Sequence, residues 1–506
     1  MRNNSAEERL ARWAPVLLLA LGAQFAWRSY LTHPVFNDTA DEAVHIGCGL
    51  EVWERRQYTL EPQHPPLARL AVSVLPYFAG LRHRGDIPDW ESHDLDFYWR
   101  TLRLARMGNL VFLPFLLLYV YRWGREIHGA AGGLAAAALV SFSPNLLAHA
   151  SLATLDFGAA TTLVAATWYL WQWSQRLDPR LALKAVLAFG LAVLTKFSAL
   201  FLLPPIAVAF LALARTRVSW RMAVAFVTVL ILLLWAGYGF SWRPLPPAQH
   251  SAPRATLQGA VQRGLERVVG RHAVPAPGLV RGLLDMLGHN AKGHQCYLLG
   301  KLGKRGWWYY FPIVLALKTT LPLLALVVLA LMWGPRRRMV LYPGVAAAVV
   351  LAVCMMSNLN LGVRHILAIY PFFALLAAGL FVSPRRAARG VALVLGLWHG
   401  AESVAAHPDY LPYFNQTVRS HAEDFLLDSN LDWGQDLERL RRFLEQERID
   451  TVYLSFFGRG HPIRQRIPGT RPLEPQDRPA GWVAVSQAHL AGLALPGPSF
   501  AWLKSH

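Results

Sequence analysis

Apolar residues along this 506-residue chain gather in long blocks, and those blocks set the first reading. Stretches approaching the roughly 20 residues needed to cross a bilayer core fall near 13–31, 102–121, 130–148, 155–173, 182–195, 198–214, 222–240, 309–333, 339–356, 366–382 and 390–404. Several are short or interrupted, so the pattern predicts about 11 transmembrane helices. Three longer polar segments interrupt it, at 32–100, at 241–308 and after 405. In the first, 41–57 predicts a helix with Val44, Ile46, Leu50 and Trp53 on its apolar face. "HPPLARLAVSVLPYF" (64–78) predicts a second, with Pro65 and Pro66 at its start, where a missing N–H costs least. It is too short to span and fits a helix lying in the membrane interface. Segment 241–308, rich in Pro, Gly and basic residues, predicts short helices at most.

The tail changes character. "DSNLDWGQDLERLRRFLEQERI" predicts a soluble helix over 433–447, capped by Asp432, with Leu437, Leu440, Phe443 and Leu444 as its apolar stripe. "DTVYLSFFG" and "GWVAVSQ" predict buried strands. The expected fold is an all-α polytopic membrane body over 13–404, preceded by a short terminus over 1–12 and followed by a small α/β domain over 405–506.

The cations orient this body. With the N-terminus inside, the inner connections hold Arg2, Arg9 and Arg12; Arg122 and Arg125; Arg176, Arg180 and Lys184; Arg215, Arg217 and Arg221; Arg336, Arg337 and Arg338; and Arg385, Arg386 and Arg389. Apart from residues at span borders, the short outer connections hold only Lys196 and Arg364. That is a positive-inside distribution. It predicts a bacterial inner (plasma) membrane protein with a cytoplasmic N-terminus, and with both long loops and the tail in the periplasm. Arg28, Ser29 and Tyr30 follow the first block where a cleavage site would need small residues, so the block reads as an uncleaved anchor. Trp307, Trp308, Tyr309 and Tyr310 read as an interfacial aromatic belt.

Composition agrees. Charged residues make up 16% of the chain, against about 25% in soluble domains. The net charge of +19 could signal nucleic acid, but the hydropathy and the one-sided placement of the cations argue against that partner. Cys48 and Cys296 fall in the two long loops and Cys354 in a span; pairing of the first two stays open, and no cysteine spacing suits a metal.

Several ionisable residues stand where lipid should be: Asp156 in "LATLDFG", Lys196 in "LTKFSAL", Lys318 in "LALKTTLP", and Arg364 with His365 in "GVRHILAIYP". Such positions default to functional candidates, although one Lys or Arg can snorkel and Asp156 can cap a helix. "DEAVHIGCGL" (41–50) has the same two sides. Asp41 and Glu42 suit the first turn of a helix, or a boundary position where a carboxylate does chemistry. His45 and His64 suit ordinary polar contacts as well as a site. What joins them is that all come from connections on one side. Group transfer outside the cell needs a donor delivered by lipid, and a polyprenyl-phosphate sugar fits these residues. Asp41 would accept the acceptor-hydroxyl proton. Lys196, Arg364 and His64 would stabilise the leaving phosphate, and in-line attack implies inversion.

The ordered set of "DE" after the first span, "HPPL" in the same loop, Asp156 after the third span, "LTK" before the sixth and "GVRHILAIYP" late resembles the lipid-dependent integral-membrane glycosyltransferases of family 39 over about 13–400. That superfamily includes protein O-mannosyltransferases and the aminoarabinose transferases that modify lipid A. The resemblance implies the multi-span glycosyltransferase fold, with Asp41 as catalytic carboxylate supported by Glu42. It implies Asp156 as the second acidic residue, orienting sugar or acceptor. Lys196, His64 and Arg69 would stand near the donor phosphate with Arg364; His45, His365, Tyr310 and Lys318 are substrate-side candidates. Arg69 replaces the lysine common in mannosyltransferases. Gln63 replaces a glutamate that helps bind metal in the lipid A branch, so no cofactor is assigned and a divalent metal stays open. "HPDYLPYFNQ" and "DSNLDWGQDL" are similar to tails of bacterial members whose substrates they do not identify. The expected partners are a polyprenyl-phosphate sugar, a glycan, lipid or protein acceptor of the cell envelope, and membrane lipids. A transporter or flippase of lipid-linked saccharides is the alternative. It should show repeated halves and broken midplane helices, and the sequence shows no repeat. A membrane scaffold presenting the tail would leave the outer polar residues unexplained.

Overall fold

Each apolar stretch of the sequence folds as helix, and the breaks fall at residues that cannot continue one. The computed structural model describes residues 2–505 except 249–256, 270–271, 335–337, 461–462, 464, 468, 496 and 498; Arg336 and Arg337 of the inner cation set lie outside the described residues. Helix α1 (Arg2–Thr32) opens the chain, followed by α2 (Glu42–Arg55), α3 (Pro66–Phe78) and α4 (Leu95–Asn109). The body continues with α5 (Leu113–Ser141), α6 (Pro144–Ala150), α7 (Asp156–Arg176), α8 (Pro179–Thr195), α9 (Ala199–Ala214) and α10 (Trp220–Gly237). After α11 (Leu257–Val269) and α12 (Pro277–Lys292) come α13 (Tyr310–Lys318), α14 (Leu321–Trp333), α15 (Arg338–Met355), α16 (Ile369–Phe381) and α17 (Arg386–Ala405). At sixteen residues, α12 exceeds the short helices expected of the second loop.

Two breaks have visible causes. Gly129, at φ 84° and ψ 177°, interrupts α5. There the Glu7 carboxylate of α1 accepts the Ala130 N–H at 2.8 Å, capping the resumed helix with a negative charge at its positive end. Between α13 and α14 the axis turns by 111°; Thr320 caps the second half and Pro322 follows in its first turn. Among the described residues, the segments Glu7–Thr32, Leu95–Ser141 and Trp220–Gly237 are long and apolar enough to cross a membrane, and the bent α13–α14 pair makes a fourth if it is one span. The other predicted stretches form helices that are shorter or more polar. Leu19, Trp13, Ile231 and Val224 on α1 and α10 stay more than half exposed, an apolar surface that soluble monomers do not present.

Helices α2, α3 and α4 form a platform over one end of this body. Close approach requires Gly49 and Gly108: a Cβ at the first would strike the Arg69 carbonyl and Ser73, and at the second the Ala71 carbonyl. As a result α2 is buried on most of its circumference, His45, Ile46, Cys48 and Leu50 included, more than a helix lying on a surface would be.

The tail does not stand apart from the platform. Helix α18 (Leu437–Gln446) and a parallel sheet, with Val452–Ser455 between Thr470–Pro472 and Trp482–Val485, follow the body. Leu437, Leu444, Val452 and Leu454 share one apolar core with Ile46, Leu50, Val72 and Tyr98 of the first loop. α18 begins four residues after the expected start, because Asp432 is not its cap. The Asp432 carboxylate accepts the N–H groups of Gly434 and Ala488, each at 3.2 Å. The strand Trp482–Val485 is an edge with Trp482 exposed, not a buried strand. Cys48, Cys296 and Cys354 are free thiols, so the first two do not pair.

Candidate active site

A buried arginine anchors the loop after α1. Arg106 of α4 donates to the carbonyls of Phe36 and Asn37 at 2.7 and 2.8 Å and to both oxygens of Glu42 at 2.8 and 2.9 Å. The same carboxylate accepts the N–H groups of Thr39 (2.8 Å) and Ala153 (2.7 Å). Glu42 is thus fully enclosed and fully hydrogen-bonded. Asp41, one residue earlier, makes no cap bond and has a different partner. Its carboxylate accepts Arg364 Nη1 at 2.6 Å, with 35% of the Asp41 side chain exposed.

A second pair lies beside the first. Asp156, at the start of α7, accepts Lys196 Nζ at 2.6 Å, and its other oxygen lies 4.0 Å from His149 Nδ1. Lys196 ends α8 in an extended conformation, which turns the chain sharply into α9. Arg364 sits in the 3-10 turn Val363–Ile366, entered through Gly362 at φ +108°. Its guanidinium lies over the Trp433 ring, 4.4 Å from the centroid. A small, partly open crevice lies here, with Asp156, Lys196, Arg364 and His365 at its polar end and Ala160, Leu163, Leu202 and Leu367 along its apolar walls.

The charges interact across the site. Burial works to raise the Asp41 carboxyl, but the Arg364 guanidinium holds it below the ordinary carboxylate value. Burial, then Arg69, pushes His45 down to about 3 despite Asp41 and Asp156. His64, whose ring meets the His45 ring edge-on at 5.4 Å, is pushed well below its ordinary value by the same two causes. Both imidazoles are therefore neutral donors or acceptors here rather than cations.

Asp41, His45, His64, Asp156, Lys196, Arg364 and His365 thus converge, the last with its ring stacked 6.2 Å from Phe311. Four other candidates are elsewhere. Glu42 is tied to Arg106. Arg69 is fully buried and spent on Glu61, the Tyr58 hydroxyl (2.7 Å) and His45 Nδ1 (3.4 Å), so it backs the histidine instead of facing the crevice. Lys318 is completely buried at the α13–α14 break, donating to the carbonyls of Leu411 (2.8 Å) and Asn430 (2.6 Å) above the Phe414 ring. Tyr310 is buried, its hydroxyl accepting Asn430 Nδ2 at 3.1 Å. Lys318 and Tyr310 grip the tail. Gln63 Nε2 meets His289 Nδ1 at 2.7 Å, and among the described residues no group of three or more His, Cys, Asp or Glu is placed to hold a metal ion.

Sequence reasoning missed Arg106, His149 and Trp433. Arg106 lay at a span border, where an arginine reads as an anchor. His149, buried with no hydrogen-bond partner for either ring nitrogen among the described residues, stood out only as a polar residue seven before Asp156. Trp433 lay inside a stretch assigned to a helix.

The profile of the family described as Dolichyl-phosphate-mannose-protein mannosyltransferase matches residues 101–240, a span that contains Asp156 and Lys196 but neither Asp41 nor Arg364. No curated protein matches. Among solved structures, ArnT from Cupriavidus metallidurans in the apo state aligns with a TM-score of 0.51 at 16% identity, over 78% of this chain and 64% of ArnT. ArnT bound to undecaprenyl phosphate aligns with a TM-score of 0.50 at 15% identity, over 77% and 63%. The chain shares the fold of ArnT. It spans just under two thirds of the length of ArnT. At this identity the likeness carries architecture, and the chemistry has to be argued from the residues.

Proposed function

We propose that the chain transfers a glycosyl group from a polyprenyl-phosphate-linked sugar to an acceptor hydroxyl, with inversion, at the periplasmic face of a bacterial inner membrane. The observation that carries this reading is the pair of carboxylate–cation contacts, Asp41–Arg364 and Asp156–Lys196, beside a crevice whose far walls are apolar. A phosphate on an isoprenoid chain suits both ends: the anion meets Lys196 and Arg364, and the chain lies along Leu163, Leu202 and Leu367. The likeness to a protein solved with undecaprenyl phosphate supports the same class of donor.

The steps balance without a further reagent. The acceptor oxygen attacks the anomeric carbon while its proton passes to Asp41, and the bond from that carbon to the phosphate oxygen breaks on the opposite face. The polyprenyl phosphate leaves with the electron pair, and Lys196 and Arg364 stabilise its charge. Asp156 orients Lys196, and neutral His45 and His64 can hydrogen-bond the reacting groups. Arg364 has a double part. While it grips Asp41 the carboxylate is a weak base; once the donor phosphate draws the guanidinium away, Asp41 becomes a stronger one. Donor arrival thereby primes the base. The orientation follows from the cation distribution, with about 11 spans, the N-terminus cytoplasmic, and both the two long loops and the tail, read as a small α/β domain, periplasmic.

The test is Asp41→Asn in the full chain, given a labelled sugar on undecaprenyl phosphate. Transfer should collapse while the variant keeps its melting temperature and its affinity for undecaprenyl phosphate. Movement of the intact lipid-linked sugar across vesicles by that variant, with no transfer by the wild type, would favour a transporter instead.

A further inference from the structure

The segment 428–435 touches both loops that carry the Asp41–Arg364 pair. Ala40, immediately before Asp41, donates its N–H to the Trp433 carbonyl at 3.0 Å, and Asn37 donates to the Gln435 carbonyl at 3.2 Å. On the other side, Asn430 Oδ1 accepts the Val363 N–H at 3.0 Å, and the Ser429 hydroxyl bonds the Leu361 carbonyl. Gly362 has no room for a side chain because Ser429 and Asn430 fill that space. Lys318 and Tyr310 hold Asn430 from below. Trp433 is the one residue among these that meets both halves of the pair: its carbonyl holds the Asp41 loop and its ring lies under the Arg364 guanidinium. The ring also meets His149 in an edge-type contact, 6.4 Å between centroids, the histidine that stands next to Asp156. Trp433 is 1% exposed, so it acts through these neighbours and not by touching substrate.

We infer that Trp433 is a positioning residue for the proposed transfer, setting the Arg364 guanidinium against both Asp41 and the donor phosphate, and that segment 428–435 is a working part of the site. A flat aromatic surface suits this task. It stabilises a desolvated guanidinium across its face; Nε donates in-plane to the Leu361 carbonyl at 3.3 Å, which leaves the Nη groups to exchange Asp41 for phosphate. A hydrogen-bonding partner in that place would have competed with the exchange. The inference rests on the glycosyl-transfer reading only for its kinetic part, since the grip on a lipid phosphate can be measured without turnover.

The experiment compares Trp433→Phe and Trp433→Leu in the full detergent-purified chain, by equilibrium binding of undecaprenyl phosphate and by KM and kcat for an undecaprenyl-phosphate sugar. Trp433→Leu should weaken lipid-phosphate binding and raise the donor KM about tenfold, while Trp433→Phe, which keeps a ring, stays within about threefold. Adding Arg364→Gln to Trp433→Leu should cost little more than Arg364→Gln alone, because the two changes remove one device. If Trp433→Leu does not fold, Arg364→Lys reads the same contact: it keeps the charge but loses the plane, and should also weaken binding about tenfold. Equal effects of Phe and Leu, additive losses with Arg364→Gln, or a fully competent Arg364→Lys variant would each overturn the assignment. A wild-type chain that binds undecaprenyl phosphate but transfers no sugar would sink the enzymatic reading and leave the Trp433 assignment to be decided by binding alone. A wild-type chain that binds none sinks both.

Discussion

Asp41 and Glu42 are adjacent acidic residues at the start of one helix, and the fold gives them opposite occupations. Glu42 is sealed, with two N–H groups of Arg106 and two backbone N–H groups filling its lone pairs. Among the described residues Asp41 has one direct ionic partner, which lies on a loop from far along the chain, and 35% of its side chain remains exposed. A carboxylate so completely hydrogen-bonded has little left to offer a substrate. One held by a single exchangeable cation does. The difference shows what separates a structural ion pair from a candidate reactive one: the number of contacts that must break before the group can accept a proton, more than its charge or its position in sequence.

The comparison can be broken from either side. Asp41→Asn should lower kcat by about 10²- to 10⁴-fold, the usual range for loss of a general base, with little change in melting temperature. Glu42→Gln should do the reverse. It leaves the buried Arg106 charge without its counter-charge, which costs about 3–5 kcal/mol of stability, while protein that does fold keeps most of its transfer rate. Thermal unfolding in detergent beside the transfer assay reads both, and an inactive but fully stable Glu42→Gln chain would erase the distinction.

A pH profile sharpens the picture further. Arg364 holds the Asp41 carboxyl below the ordinary carboxylate value, so kcat/KM should stay level as pH falls through the usual carboxylate range and drop only beneath it. Because His45 is pushed down to about 3, neither should a step appear near 6.5. Arg364→Gln removes the cation while burial remains, so its residual kcat/KM should lose activity at higher pH than the wild type does. An unmoved acid limb would mean that another group is the base.

The smallest effect concerns Asp38, whose carboxyl accepts the Tyr98 hydroxyl at 2.7 Å and is pushed up to about 6 by burial, with Glu42 adding to it. A raised folded-state value means that this carboxyl's contribution to stability is full below about pH 4 and is lost as pH rises through about 6. Asp38→Asn, which keeps the acceptor, should therefore stabilise the chain at pH 8 by on the order of 1 kcal/mol, and the gain should vanish toward pH 4 in unfolding measurements.

Much of the architecture was legible because lipid imposes a simple rule on sequence. Helices lie at all the apolar blocks, at 41–57 and at 64–78, since hydrophobic length and period are local properties. Convergence of Asp41, Asp156, Lys196 and Arg364 was also readable, from cations out of place in the positive-inside pattern. What could not be read was which polar residue spends its bonds on the fold. Arg69 and Lys318 looked like site cations because ionisable groups in apolar surroundings stand out, yet Glu61 and the tail carbonyls satisfy them, and those partners are distant in sequence or carry no side-chain signal. The DWGQ turn was misread for a related reason: an amphipathic stripe beginning at Leu437 invites extension backward, and nothing local says that Trp433 pairs with a loop almost four hundred residues earlier.

The long-range clasp between segment 428–435 and residues 37–40 bears on how the protein is made. The Asp41 loop leaves the ribosome almost four hundred residues before Trp433, so the helices between them are made well before the two halves are joined at the site. A chain whose translation stops short of Asp428 would keep its helical body but lack the clamp on Arg364, and on the proposed reading such a copy would transfer no sugar.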